Sequence, residues 1–151
     1  MIYALKTHTV KLVLSDRKED AFNGSAIVSA EDSSHLLKAI YSDLDPDQEH
    51  FTILALNNKL KVVGFKVLFS GGQSHSSIDL KVLFRNALLM GAAAIVLAHN
   101  HPTQDPQPSP EDNKITGTIQ NAGELIGIRV IDHIIITEDT FYSYSSEGPL
   151  S

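Results

Sequence analysis

The feature that most constrains this chain is an apolar run, Ala92–Ala98, that opens at Gly91 and closes in a polar, proline-rich loop. A run of that length with such boundaries predicts a buried β-strand. His99 and His101 follow it directly. Because side chains i and i+2 of an extended chain point the same way, both imidazoles are expected on one side where the strand ends. Pro102 favours the extended conformation of His101, since the residue before a proline disfavours the helical region.

An aspartate completes a set of metal-binding side chains. In the sequence Ser-Pro-Glu-Asp at 109–112, Ser109 is typical of a helix N-cap, and Asp112 would stand at N3. A carboxylate in the first helical turn is held ionised by the helix dipole, as a metal ligand must be. Two imidazoles and one carboxylate, with a fourth position open, are the ligands of a catalytic zinc. We therefore predict one Zn²⁺ per chain, bound by His99, His101 and Asp112.

These residues resemble a known motif. His-x-His-Pro at 99–102, a serine after seven intervening residues and an aspartate after two more resemble the JAMM (MPN+) metalloprotease motif. The neighbouring sequences AAAIVLAHNHP and IRVIDHIIIT are similar to the RadC family, which carries this JAB-type domain. The resemblance, from about Ser29 to Phe141, implies the JAB/MPN fold, a mixed β-sheet flanked by helices in a single domain. It also implies hydrolysis of an amide or isopeptide bond.

The chain departs from the family pattern at two places that could change substrate contacts. The family continues HNHP with Ser-Gly, where this chain has Thr103-Gln104, and has Arg-Glu where this chain has Lys81-Val82. Longer members also carry an N-terminal helix-hairpin-helix region. We expect a stand-alone JAB domain at 29–145, after an N-terminal extension at 1–28 and before a tail at 146–151.

Activation of water needs a general base, and several carboxylates lie near predicted loops. They are Glu31, Glu49, Asp105, Glu111 and Glu124. Glu49 is favoured because it precedes an apolar strand, although it could also be a solvated charge at the strand end. The resemblance strengthens the choice, since QEHFTILALN matches the place of the family's catalytic glutamate. We assign Glu49 as the base and Ser109 as the donor to the tetrahedral oxyanion.

Three further polar side chains accompany this set. His133 lies on the apolar strand Ile128–Thr137, where a structural role is favoured over a role beside the metal ligands. Asn100 points away from the two histidines that flank it, so it is expected to brace the loop. The sequence assigns no role to His50.

The remaining pattern predicts an α/β sandwich around a mixed sheet. A helix capped by Asp32 or Ser33 should carry its apolar face as far as Leu44. The other predicted elements are a strand at Thr9–Leu14, a hairpin of Phe51–Leu56 with Leu60–Phe69, a helix with core residues Leu80, Leu83, Phe84, Ala87 and Leu88, a helix from Pro110 to Gly123, and an edge strand at Phe141–Tyr144.

Composition narrows the classes of function. The chain has no cysteine, which excludes disulfides, thiol nucleophiles and the Cys-ligated zinc of nucleobase deaminases. Its net charge of −6 argues against strong direct binding of nucleic acid. No signal peptide opens the chain, and the low-polarity run Ala87–Ala98 is too short to span a bilayer, so we expect a cytoplasmic protein without membrane contact. The sequence leaves open whether the chain forms a homo-oligomer.

The sequence thus predicts a zinc metallopeptidase or isopeptidase of the JAMM type, acting on a protein or peptide substrate. One alternative is a RadC-type factor associated with DNA repair or mobile elements, acting through protein partners with weak or no peptidase activity. Another is a binding module whose zinc is structural. The open coordination position argues against this last alternative, because structural zinc normally has four protein ligands.

Overall fold

The computed structural model of the chain describes residues 26–71 and 78–150, so the predicted strand Thr9–Leu14 lies outside the described residues. The elements are α1 (Ala30–Tyr41), β1 (His50–Leu56), β2 (Val62–Ser70), α2 (Leu80–Leu89), β3 (Ala94–Asn100), α3 (Pro110–Ile126), β4 (Arg129–Ile136), β5 (Phe141–Ser143) and the short α4 (Tyr144–Glu147). The strands form one sheet in the order β2-β1-β3-β4-β5. Strands β3 and β4 are parallel, and all other neighbours are antiparallel. This mixed sheet with flanking helices confirms the predicted fold class.

The two faces of the sheet carry separate cores, because alternate side chains of a strand point to opposite faces. On one face α1 buries Leu37 in the same cluster as Val96. On the other face α2 and α3 bury Leu83 and Ile119 in the same cluster as Leu97. Strand β3 is buried along its whole length, which explains why its sequence is a continuous apolar run rather than an alternating one. Among the described residues, no helix has the length and apolar content that crossing a membrane requires.

The start of α1 was predicted in the wrong place. Ser29, rather than Asp32 or Ser33, is the N-cap, and its hydroxyl accepts from the Asp32 N–H at 3.1 Å. The Asp32 carboxylate accepts in return from the Ser29 N–H at 3.0 Å. Asp32 is therefore the N3 residue of a capping box. The helix also ends at Tyr41, so Leu44 lies beyond it rather than on its apolar face.

Two other helix predictions were wrong in detail. Leu88 on α2 is 58% exposed rather than part of the core. Helix α3 does not end at Gly123 but continues to Ile126. Gly127 then ends it with φ at +82°, a left-handed conformation that glycine adopts without strain.

Two glycines within α3 differ in what an added methyl group would meet. A Cβ at Gly123 would lie 2.4 Å from the backbone oxygen of Ile128, whereas a Cβ at Gly117 would meet nothing within 4 Å. We expect Gly123→Ala to lower the free energy of unfolding by about 1–3 kcal/mol, because the chain entering β4 must shift. Gly117→Ala should raise it by about 0.5–1 kcal/mol through helix propensity. Urea denaturation measures both, and equal effects would contradict the close contact at Gly123.

Candidate metal centre

Two histidines and an aspartate meet at the carboxyl end of β3. His99 lies near the end of β3, His101 follows the strand, and Asp112 lies in the first turn of α3. His99 Nε2 is 3.0 Å from His101 Nε2 and 3.3 Å from Asp112 Oδ1, and His101 Nε2 is 3.4 Å from Asp112 Oδ2. The side chains of His99 and Asp112 are buried, while that of His101 is 15% exposed. The structure thus brings together the three residues that the motif marks.

Glu49 lies slightly further from His99 than His101 and Asp112 do. It precedes β1, which neighbours β3 in the sheet, and its side chain is 17% exposed. Its Oε1 lies 4.0 Å from His99 Nε2. Glu49, His99 and His101 each offer one ligand atom within 4.8 Å of the others, so these three residues form a group that could hold a metal ion. The other four acidic residues considered as the base are exposed: Glu31, Asp105, Glu111 and Glu124.

The separations can be compared with those of a bound zinc ion. Ligands at 2.0–2.1 Å from a tetrahedral zinc lie about 3.3–3.4 Å from one another. His99 Nε2 and His101 Nε2 lie 3.0 Å apart, and each faces a different oxygen of Asp112, Oδ1 at 3.3 Å from His99 and Oδ2 at 3.4 Å from His101. Glu49 Oε1 lies 4.0 Å from His99 Nε2. Two imidazoles and a buried carboxylate are a donor set that zinc binds, and the Asp112 carboxylate lies closer to both imidazoles than Glu49 Oε1 lies to His99.

The first turn of α3 holds the Asp112 carboxylate in place. Ser109 is the N-cap, as predicted, and its hydroxyl accepts from the Asp112 N–H at 3.1 Å. The Ser109 N–H donates to Asp112 Oδ2 at 2.7 Å. Pro110 occupies the first helical position, where its fixed φ suits the helix. These reciprocal bonds leave Asp112 Oδ1 directed towards His99, at 3.3 Å from Nε2.

The ring of His101 is oriented by the loop backbone. Its Nδ1 lies 2.6 Å from the carbonyl oxygen of Asp105, which can only accept, so Nδ1 donates. In the neutral ring Nε2 then presents its lone pair towards Asp112. Burial lowers the pKa of His101, but hydrogen bonds to the Asp112 side chain and the Asp105 carbonyl outweigh it and raise the pKa above its ordinary value. Protons and a metal ion therefore compete for this nitrogen.

Asn100 braces the segment that carries Glu49. Its Oδ1 accepts from the His50 N–H at 2.7 Å, and its Nδ2 donates to the Gln48 carbonyl at 2.8 Å. The Glu49 carbonyl itself accepts from the Gly71 N–H at 2.8 Å. Asn100 thus fixes the backbone on both sides of Glu49, so the segment that it braces is the one entering β1 and not the loop after β3.

The ring of His50 is bound within the fold. Its Nδ1 lies 2.7 Å from Ser70 Oγ, and its Nε2 lies 2.7 Å from the Asp45 carbonyl oxygen. Because both ring nitrogens are engaged, His50 ties β1 to β2 and to the loop that precedes β1.

A second layer of buried side chains lies behind His99. His99 Nδ1 is 2.8 Å from His133 Nε2, and His133 Nδ1 is 2.6 Å from Thr116 Oγ1. The ring of Phe51 stacks on His99, and that of Tyr144 stacks on His133. His133 is buried, as a structural histidine would be, but it also contacts a candidate ligand directly. Sequence reasoning missed Thr116, although its position four residues after Asp112 places both on one face of the helix.

A cavity of about 390 Å³ lies next to the site, with His101 and Asn100 in its wall. Gln104 also lines it and adopts a left-handed backbone conformation with φ at +66°. The family pattern has glycine at this position, and glycine adopts such a φ without strain. In this chain the Gln104 Oε1 accepts from the Glu138 N–H at 2.8 Å. Gln104 therefore links the wall of the cavity to the turn between β4 and β5.

Comparison with known proteins identifies the family. Residues 27–149 match the family model described as a RadC-like JAB domain. A UPF0758 protein of Desulforudis audaxviator is 45% identical over 102 residues, which cover 68% of this chain and 44% of the relative. A UPF0758 protein of Flavobacterium johnsoniae is 36% identical over 132 residues, which cover 87% of this chain and 57% of the relative. The chain thus spans about half the length of these curated relatives. Because the family match includes every residue of the site, the chain belongs to the RadC-like JAB domain family, as its motif predicted.

Proposed function

We propose that this chain is a zinc-dependent hydrolase of an amide or isopeptide bond, with His99, His101 and Asp112 as the three zinc ligands. The proposal is supported by the approach of His99 Nε2 and His101 Nε2 to 3.0 Å, with one oxygen of the Asp112 carboxylate facing each ring at 3.3 and 3.4 Å. Glu49 Oε1 lies next to them, at 4.0 Å from His99 Nε2. Three protein ligands leave one coordination position open, as in catalytic zinc sites. The partly exposed side chains of His101 and Glu49 mark the side from which a substrate can approach.

Zinc bound at this site would supply Lewis acidity, which polarises a carbonyl and lowers the pKa of water to about 7. The protein residues would manage the proton and the developing charge. Glu49 takes a proton from the attacking water as the new C–O bond forms. It then delivers that proton to the amine nitrogen as the C–N bond breaks. The Ser109 hydroxyl donates a hydrogen bond to the oxyanion, and Asn100 keeps the Glu49 backbone fixed throughout.

The substrate that we propose is a protein or peptide. The cavity beside His101 has room for one side chain next to the reacting bond, with Tyr41 and Ile136 as its apolar walls and Lys38 as a polar one. Purified protein and the Glu49→Gln variant, each loaded with zinc, should be added to parallel lysates. New amino termini, or newly freed lysine side chains, should be found by mass spectrometry only with the wild type. If the wild type and the variant gave identical sets of amino termini and free lysine side chains, hydrolysis would be excluded for these lysates. A role through protein partners would then be favoured.

Ser109 has two proposed functions, and these can be separated by substitution. As an N-cap it stabilises α3, so Ser109→Ala should cost about 1 kcal/mol of stability and Ser109→Gly only a few tenths. As an oxyanion donor it should contribute about 10²–10³ in turnover, which both variants would lose. We therefore expect alanine and glycine to be equally poor catalysts with different melting temperatures, and both should retain zinc. Near wild-type turnover in the glycine variant would show that Ser109 is only a cap.

A further inference from the structure

We propose that Thr116, acting through His133, sets the tautomer of His99 and so keeps the Nε2 lone pair of His99 directed at the metal position. Thr116 and His133 are then positioning residues of the metal centre rather than parts of the core alone. The proposal rests on the metal site proposed above, but not on the hydrolytic reaction.

The backbone carbonyl of Asp112 can only accept a hydrogen bond, and it therefore fixes the position of the Thr116 hydroxyl hydrogen. The Thr116 hydroxyl donates to the backbone carbonyl of Asp112, four residues earlier on α3, at an O···O distance of 2.6 Å. A hydroxyl has a single hydrogen. Thr116 Oγ1 therefore has only lone pairs to offer to His133 Nδ1, which lies 2.6 Å away. That short contact requires the hydrogen to be on His133, so Nδ1 of His133 donates to Thr116.

The proton on His133 Nδ1 determines where the proton of His99 lies. A neutral ring protonated at Nδ1 has a lone pair at Nε2. His133 Nε2 therefore accepts, and its partner at 2.8 Å, His99 Nδ1, must donate. The proton of His99 is then on Nδ1, and its Nε2 is the basic nitrogen. That nitrogen lies 3.0 Å from His101 Nε2 and 3.3 Å from Asp112 Oδ1, at the centre of the proposed ligand set.

The surroundings of these rings keep the arrangement intact. His99, His133 and Thr116 are all buried, with exposed fractions of 0%, 0% and 2%. Phe51 stacks parallel to His99 with an interplanar angle of 10°, and Tyr144 stacks on His133 with an angle of 14°. The Tyr144 hydroxyl donates to Asn113 Oδ1 at 2.7 Å, which ties this ring to α3. Because neither imidazole can turn without losing these contacts, the choice of tautomer depends on the hydrogen bonds.

The series of hydrogen bonds begins and ends at one residue. Asp112 supplies the backbone carbonyl that orients Thr116, and its carboxylate faces the His99 nitrogen whose lone pair results. A metal-binding histidine usually donates its second N–H to a carboxylate, a backbone carbonyl or water. Here the acceptor is another histidine, and its Nε2 can accept because its proton is on Nδ1, where it donates to Thr116 Oγ1. The hydroxyl of Thr116 is therefore the feature to remove.

Thr116→Val keeps the shape of the side chain and removes the hydroxyl, which leaves the buried His133 Nδ1–H without its acceptor. His133 can then place its proton on Nε2 and donate to His99, and this would force the His99 proton onto the nitrogen that must bind metal. We expect the dissociation constant for zinc, measured by competition with a chromophoric chelator, to rise about 10- to 100-fold. Thr116→Ser keeps the hydroxyl and should bind zinc with nearly the wild-type affinity. Thr118→Val is the matched control, because the exposed Thr118 hydroxyl donates to the Lys114 carbonyl at 2.9 Å in the same helix.

Histidine ¹⁵N NMR of the metal-free protein reads the tautomers directly. The wild type should have His99 protonated at Nδ1 and unprotonated at Nε2, and Thr116→Val should shift the proton towards Nε2. A wild-type His99 protonated at Nε2 would overturn the proposal even if the valine variant failed to fold. Zinc affinity of Thr116→Val equal to that of Thr118→Val would also overturn it. If the wild type showed the assigned tautomers but bound no zinc, the proposed function would fail and the assigned hydrogen-bond order would stand.

Discussion

Glu49→Gln protein should retain its zinc while its turnover falls by roughly 10²–10⁴-fold, the usual contribution of a general acid–base. Glutamine preserves the length of the side chain and the brace that Asn100 places on the neighbouring backbone, since those bonds involve only Gln48 and His50. It removes the carboxylate that we propose as the group that takes and returns the proton. Zinc content by elemental analysis, together with turnover on a cleavable substrate, measures both parts of this expectation.

The matched control for this prediction is Glu111→Gln. Glu111 lies in the first turn of α3 next to Asp112, but its side chain is exposed. The same change of charge there should leave both zinc content and turnover near the wild type. Loss of zinc from Glu49→Gln alone would make Glu49 a ligand. The group Glu49, His99 and His101 would then replace the ligand set that includes Asp112.

The second large effect is expected at His101. His101→Ala removes one of three proposed ligands, so it should cost far more zinc affinity than the roughly 10- to 100-fold expected of an outer partner. Purified wild type should carry close to one zinc per chain and the variant almost none. Zinc at about 100 times its dissociation constant would stabilise the wild type by about 2.7 kcal/mol, which a thermal melt can detect.

His35→Ala is a suitable control for His101→Ala, because His35 is an exposed residue of α1. It removes an imidazole of the same chemistry from a different part of the chain. Zinc should still raise the melting temperature of His35→Ala and should leave that of His101→Ala unchanged. Full zinc retention by His101→Ala would remove this histidine from the ligand set.

The sequence predicted the convergence of His99, His101 and Asp112 better than the helix boundaries, and the reason is local geometry. His99, His101 and Asp112 belong to a strand end and a capped helix start, where the period of a strand and the chemistry of an N-cap fix the side-chain directions. The helix end at Gly123 was wrong because this glycine is required by its close approach to Ile128 and not by a turn. Contacts of that kind depend on tertiary packing, which a periodic pattern does not contain.

The sequence also could not predict the contact between His133 and His99. His133 is 34 positions from His99 in the sequence, and only the parallel pairing of β4 with β3 brings the two rings together. Alternation along β4 could indicate that His133 is buried, but not which side chain it faces. The role of Glu49 was predicted mainly from the family resemblance. The sheet gives a physical reason, because β1 is antiparallel to β3 and its first residues lie beside the end of β3 that carries His99.

Anomalous diffraction at the zinc absorption edge, from crystals of the zinc-loaded wild type, would locate the metal and its ligands directly. We expect one strong peak per chain, within bonding distance of His99 Nε2, His101 Nε2 and an Asp112 carboxylate oxygen, with Glu49 outside that distance. A peak bonded to Glu49 instead of Asp112, or no peak between the two histidines, would contradict the proposed ligand set.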